Sequence, residues 1–85
     1  MISFSPKALE HLSFWIQDDR KMALRILRLI TETEKSPFTG IGKPEPLKGD
    51  FKGYWSRRID GEHRLIYKVT SEALYIHSCF SHYTK

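Results

Sequence analysis

The sequence predicts an α+β chain: a short opening strand, two amphipathic helices, and then three strands. Three observations predict it. Apolar residues of the first third recur at helical spacing. Two strand-like runs flank Asp60-Gly61, a strong hairpin signal. Between these regions, residues 36–50 carry three prolines (Pro37, Pro44, Pro46) and three glycines (Gly40, Gly42, Gly49), which exclude a long helix or a central strand.

Ile2-Ser3-Phe4 reads as the opening strand. Ser5-Pro6 reads as a helix start: Ser5 can cap an orphan N–H, and proline at the first helical position loses no bond. Ala8, Leu9, Leu12, Trp15 and Ile16 then predict a buried face over 6–17. Asp18-Asp19 interrupts the pattern and offers a cap for a second helix. Its stripe is Met22, Ala23, Ile26, Leu27, Leu29, Ile30 and Thr33. So short a connection predicts an antiparallel helical hairpin. Lys21, Arg25 and Arg28 share another face; each alone reads as solvated, and as a set they could contact RNA or the acidic part of a partner.

In the irregular stretch, Glu45 lies between Pro44 and Pro46, whose rings hold the backbone extended. A carboxylate on a stiffened loop suits chemistry, though an ordinary surface acid near Lys43 and Lys48 reads equally well. Strands follow at 54–59, 63–69 and 73–80. A two-residue turn would set Arg57 opposite Arg64, and a three-residue loop, Asp60-Gly61-Glu62, would set Arg58 there. Either pair is unfavourable unless each arginine finds a carboxylate, with Glu62 and Glu72 nearby, or the pair binds an anion. In the last strand, alternation puts Leu74, Ile76, Ser78 and Phe80 in the core and Tyr75, His77, Cys79 and Ser81 on the other face. Trp15 and Trp55 read as core.

An 85-residue chain predicts one domain, 1–85, with 40% hydrophobic and 13% aromatic residues excluding a disordered segment. The one cysteine, Cys79, permits no internal disulfide and reads as a small packed residue. No apolar run is long enough to cross a membrane, and the N-terminus lacks a secretory pattern, so a cytoplasmic protein is expected. The net charge of +4 concentrates in 43–68, where Lys43, Lys48, Lys52, Arg57, Arg58, Arg64 and Lys68 face Glu45, Asp50, Asp60 and Glu62. A basic, aromatic-bearing segment suits RNA; a solvated basic surface is the plainer alternative.

His11, His63, His77 and His82 show no zinc-ligand spacing with acids, and no phosphate-cradling glycine loop or nucleophile motif occurs. No cofactor is expected. Metal-free RNA cleavage needs less: a base for the ribose 2′-hydroxyl, a cation for the phosphate oxygens and an acid for the leaving 5′-oxygen. Glutamate, arginine and histidine can fill those roles.

The run Gly42-Lys43-Pro44-Glu45-Pro46-Leu47-Lys48, then Trp55-Ser56-Arg57-Arg58-Ile59, then Glu62-His63-Arg64-Leu65-Ile66-Tyr67 and the final His82-Tyr83 resembles the YoeB/Txe toxins of the RelE superfamily over nearly the whole chain. The resemblance implies a RelE-like fold, with the N-terminal strand and helical hairpin packed on a twisted antiparallel sheet. It implies a toxin of a type II toxin–antitoxin system that enters the ribosomal A site and cuts messenger RNA. Implied partners are the ribosome, a YefM-like antitoxin and, through that antitoxin only, operator DNA; such toxins can also pair as homodimers. Carried over by motif, Glu45 is the general base, Arg64 the transition-state arginine and His82 the general acid. Tyr83 orients the nucleotide, and Lys48 and Arg58 support the phosphates, which favours the three-residue loop. Thr84-Lys85 extends beyond the usual end, and His77 reads as a packed or surface histidine. The competing functions are a binding module that has lost catalysis and a ribonuclease that needs no ribosome. Arrest of translation without the antitoxin separates the first, and assays on naked RNA the second.

Overall fold

The computed structural model describes residues 1–81; His82 and Tyr83, both singled out above, lie outside the described residues with Thr84 and Lys85. The element order is β1 (Ile2–Phe4), α1 (Pro6–Asp18), α2 (Arg20–Lys35), β2 (Glu45–Pro46), a single 3-10 turn (Gly49–Phe51), β3 (Trp55–Arg58), β4 (Arg64–Val69) and β5 (Leu74–Ser78). Both helix starts follow from their caps. Ser5 Oγ accepts from the Ala8 amide at 3.0 Å behind Pro6, and Asp19 Oδ1 accepts from the Met22 amide at 3.4 Å.

The strands form one sheet in the order β1-β5-β4-β3-β2. The α+β architecture is as expected, but the sheet is mixed rather than wholly antiparallel. β1 pairs with β5 in parallel, Ile2 opposite Leu74 and Phe4 opposite Ile76. The helical hairpin returns the chain to the sheet only at β2, so the first strand is left to pair with the last.

The helices cover one sheet face. Ala8, Trp15, Ala23, Ile26 and Ile30 meet Leu65, Tyr67, Leu74 and Ile76 in the core. Burying one such isoleucine stabilises the fold by about 1.5–3 kcal/mol. Three expected core residues are exposed: Leu9 (53%), Ile16 (51%) and Leu27 (43%). The cause is angular. At 100° per residue, Leu12 and Trp15 stay within roughly 40° of Ala8, whereas Leu9 and Ile16 lie roughly 80–100° around the helix. Leu27 overshoots its stripe in the same way.

β5 departs from strict alternation. Ser78 lies opposite Ile66, yet the next residue, Tyr67, pairs with Ile76, which leaves His77 as the extra residue of a bulge. The bulge reverses the face of everything after it. Cys79 is therefore in the core and Phe80 is exposed, against the expected order. Burial pushes the Cys79 thiol up to about 12, so it packs and does not react as a nucleophile.

The β3–β4 hairpin closes with the three-residue loop. Arg58 lies opposite Arg64, and the Ile59 amide donates to His63 O at 2.9 Å. Asp60 Oδ1 accepts from the amides of Glu62 (2.8 Å) and His63 (2.7 Å). Burial would raise this carboxyl, but the two amides, with the charge of Arg25, hold it below the ordinary aspartate value. A depressed folded value means the stabilisation is full above the unfolded value of about 3.9 and is lost as pH falls through the folded one. Asp60→Ala should cost about 1–2 kcal/mol at neutral pH. The difference in urea midpoint between the two proteins should shrink steadily below about pH 4.

Candidate active site

The loop that carries Glu45 is held from beneath. Arg57 points to the helix side of β3 and is 0% exposed. Its guanidinium donates to the carbonyls of Ser36, Thr39 (2.9 Å) and Ile41 (2.9 Å), and its Nε to Tyr67 Oη (3.3 Å). Tyr67 Oη donates in turn to Pro37 O at 2.6 Å, and burial raises its pKa. Gly42 stitches the loop to the sheet: its carbonyl accepts from the Arg58 amide at 2.6 Å. A Cβ there would come within 3.1 Å of both Arg57 Cβ and Arg58 O, and φ is +81°, so only glycine fits.

From that anchor the chain reaches β2, where Glu45 lies opposite Ser56 and Pro46 opposite Trp55. Prolines lack the amide donor, which explains why β2 is the edge strand. Glu45 is exposed. Strand alternation puts it on the face away from the helices, with Ser56, Ile66 and Ser78 in its row and Arg58 and Arg64 in the next. Glu45 and Arg64 are two strands and one two-residue step apart, roughly 12 Å between Cα atoms. Long side chains can close on a phosphodiester in that gap. Lys48 stands exposed just before the 3-10 turn, and no contact joins it to this group.

The arginine pair is not neutralised by the acids close in sequence. Among the described residues no carboxylate forms an ion pair with Arg58 or Arg64, and Glu62 Oε1 instead lies 3.7 Å from His63 Nε2. Arg64 Nη1 donates to the carbonyls of Asp60 (2.9 Å) and His63 (3.1 Å), and among the described residues no acceptor is bonded to its Nε or Nη2. Two adjacent guanidiniums without acids repel each other and are relieved by a bound anion.

The other end of the face is filled by rings. His77 packs edge-on to Phe51 and Tyr54, both at 5.4 Å, and Lys68 Nζ lies 5.0 Å from the Tyr54 ring centre. Burial chiefly, with Lys7, lowers the His77 pKa. Of the α2 cations, Arg25 is committed to Ile59 O at 2.9 Å, and Arg28 lines a cavity of about 230 Å³ with Arg25 and Arg58. Among the described residues no group of three His, Cys, Asp or Glu could hold a metal ion.

The last described residue, Ser81, accepts at its carbonyl from the Arg64 amide at 2.8 Å. The chain therefore comes back to the arginine pair one residue before His82. The expected roles of His82 and Tyr83 fall outside the described residues. Sequence reasoning missed what holds the tail there: Trp15, which reads as core, and His11 and His63, which carry no such role in the sequence reading. A histidine immediately before Arg64 was the one available signal.

Comparisons with known proteins agree with this arrangement. The family model described as "YoeB-like toxin of bacterial type II toxin-antitoxin system" matches residues 4–83. The toxin YoeB of Mycobacterium bovis is 51% identical over 82 residues, covering 96% of each chain. The YoeB/ParE toxin from Agrobacterium tumefaciens superposes with a TM-score of 0.93 at 42% identity, covering 96% of this chain and 98% of that one. The toxin in a heterotetrameric YoeB-YefM toxin-antitoxin complex from Staphylococcus aureus gives 0.89 at 44%, covering 98% and 97%. Helical hairpin, mixed sheet, proline-framed edge strand and paired arginines thus accompany full-length similarity, and the chain belongs to the YoeB family of type II toxin–antitoxin toxins.

Proposed function

We propose that this toxin is a ribosome-dependent endoribonuclease that cuts messenger RNA in the A site by general acid–base catalysis. The observation that carries the reading is the helix-free sheet face on which Glu45 and the Arg58–Arg64 pair stand together, with the described tail ending against Arg64. Glu45 takes the proton from the ribose 2′-hydroxyl, and O2′ attacks the adjacent phosphorus. Arg64, supported by Arg58 and Lys48, stabilises the charge that develops on the phosphate oxygens. The bond from phosphorus to O5′ breaks, and His82 gives O5′ its proton; Tyr83 orients the nucleotide. The products are a 2′,3′-cyclic phosphate and a 5′-hydroxyl, and the protons balance without a metal. The ribosome holds the RNA in line, which is worth far more than the toxin's small site could supply alone.

The YefM complex of the Staphylococcus aureus relative supports a YefM-like antitoxin as the partner that silences this face. End-mapping of mRNA on translating ribosomes tests the reading. The expected result is a cut within the A-site codon carrying a 2′,3′-cyclic end. Normal translation in the presence of folded toxin, with the mRNA uncut, would sink it.

A further inference from the structure

We propose that His63 is a positioning residue: its unprotonated Nδ1, together with the backbone of Arg64, clamps Ser81, the last described residue, and so fixes the exit of the tail beside the arginine pair. The clamp rests on geometry; its effect on cleavage rests on the ribonuclease reading above.

Ser81 is held at both ends of its peptide. Its amide donates to His63 Nδ1 at 2.6 Å, and its carbonyl accepts from the Arg64 amide at 2.8 Å. Two consecutive residues of one strand start thus grip one residue of the tail. Ser81 has φ +62°, the left-handed region, which strains a non-glycine residue. Two short bonds hold it there.

The grip dictates the protonation state of His63. A ring nitrogen that accepts cannot carry a hydrogen, so the proton of the neutral ring sits on Nε2, which faces Glu62 Oε1 at 3.7 Å. The side chain is 10% exposed and packs against both rings of the stacked Trp15–Phe80 pair, with centroids at 4.8 and 4.9 Å. It cannot swing away without opening that packing.

The same tail is held once more, two residues earlier. Trp15 Nε1 donates to Cys79 O at 2.9 Å, and the Cys79 amide donates to His11 Nδ1 at 3.1 Å. Burial first, then Lys7, keep the His11 pKa below its usual value, which suits an accepting nitrogen. The charged groups around His63 are Asp60 and Glu62 of the loop, Arg64 of β4, Arg25 of α2 through Asp60 and Ile59, and His11 of α1 behind Phe80.

Protonating Nδ1 replaces an acceptor with a donor facing the Ser81 N–H. The bond becomes a repulsion, and the strained residue is released. Cleavage by the proposed route then needs two imidazoles in opposite states: His63 neutral to hold the tail, and His82 protonated to supply O5′.

The test joins ring nitrogen NMR of the intact toxin with A-site cleavage by the parent, His63→Leu and His63→Asn. The expected spectrum shows the proton on Nε2 and a downfield Ser81 amide. His63→Leu should lower kcat by roughly 10²-fold with KM unchanged, the scale of a catalytic group displaced by about 1 Å. His63→Asn, whose Oδ1 stands near the position of Nδ1, should recover most of the rate. A proton on Nδ1 in the folded neutral protein overturns the clamp. So does a folded His63→Leu variant with parental kcat. Should that variant not fold, the asparagine variant and the spectrum still decide. An inactive parent with the expected spectrum refutes the ribonuclease reading and leaves the clamp standing.

Discussion

Glu45→Gln should slow cleavage on translating ribosomes by roughly 10²–10⁴-fold, the usual worth of a general base, while leaving thermal unfolding within about 0.5 kcal/mol of the parent. The two halves of this expectation come from the same observation. Glu45 is exposed on an edge strand, and no side chain ion-pairs with it among the described residues. Nothing in the fold depends on its charge. Arg64→Ala should lose a similar factor in kcat, on the order of 10²–10³, because it removes donors aimed at charge that exists only in the transition state. Arg64→Lys should recover little: a lysine is a point charge and cannot keep two carbonyl bonds while offering a fork to phosphate. Arg58→Ala should act mainly on binding and flatten its salt dependence, as loss of a phosphate contact does. Combining Glu45→Gln with Arg64→Ala should cost less than the product of the single effects, since the two act as a unit. Rates come from single-turnover cleavage with excess toxin. A Glu45→Gln variant that cuts as fast as the parent would remove the carboxylate from the mechanism.

The second large effect is on stability and concerns the neighbour of Arg58. Arg57→Met should destabilise the fold by about 3–5 kcal/mol, whereas Arg58→Met should change it by about 0.5 kcal/mol or less. Methionine keeps the apolar volume of the stem, so the comparison isolates the guanidinium. That group satisfies three carbonyls of the 36–42 loop and the Tyr67 hydroxyl, with no carboxylate to neutralise it among the described residues. Removing it takes the shared donor from three loop carbonyls and from the buried Tyr67 hydroxyl. For a chain of this size the loss corresponds to a fall in Tm of about 12–40 °C. The loop should open before the rest, with its amides exchanging faster than those of the helices. Equal melting temperatures for the two variants would show that the loop is held by something else.

The two adjacent arginines also show where sequence reasoning stops. Alternation guarantees that one of them faces the helices and the other faces away, but the choice depends on whether the hairpin loop has two residues or three. Asp60-Gly61 suits either. The carboxylate of Asp60 decides it, by accepting two amides across a loop that also includes Glu62. Similarly, the spacing of apolar residues located α1 and α2 but overstated their buried faces, because a pattern of threes and fours tolerates a wider arc than the sheet can cover. The extra residue at His77 leaves no trace in the alternation of the last strand, yet it carries Cys79 into the core and turns the tail toward Arg64.

Local chemistry written in the chain was enough to settle the two helices, the opening strand and the last three strands, both helix caps, the stiffened setting of Glu45 and the basic character of the later half, but not the short edge strand β2 or the 3-10 turn. Each depends on residues within a few positions of one another. Three things required the folded molecule: the parallel pairing of the first strand with the last, the burial of Arg57 beneath the loop, and the capture of Ser81 by His63 and Arg64. All three join residues far apart in sequence. Their partners are chosen by which surfaces the packed helices leave open, and no local pattern encodes that.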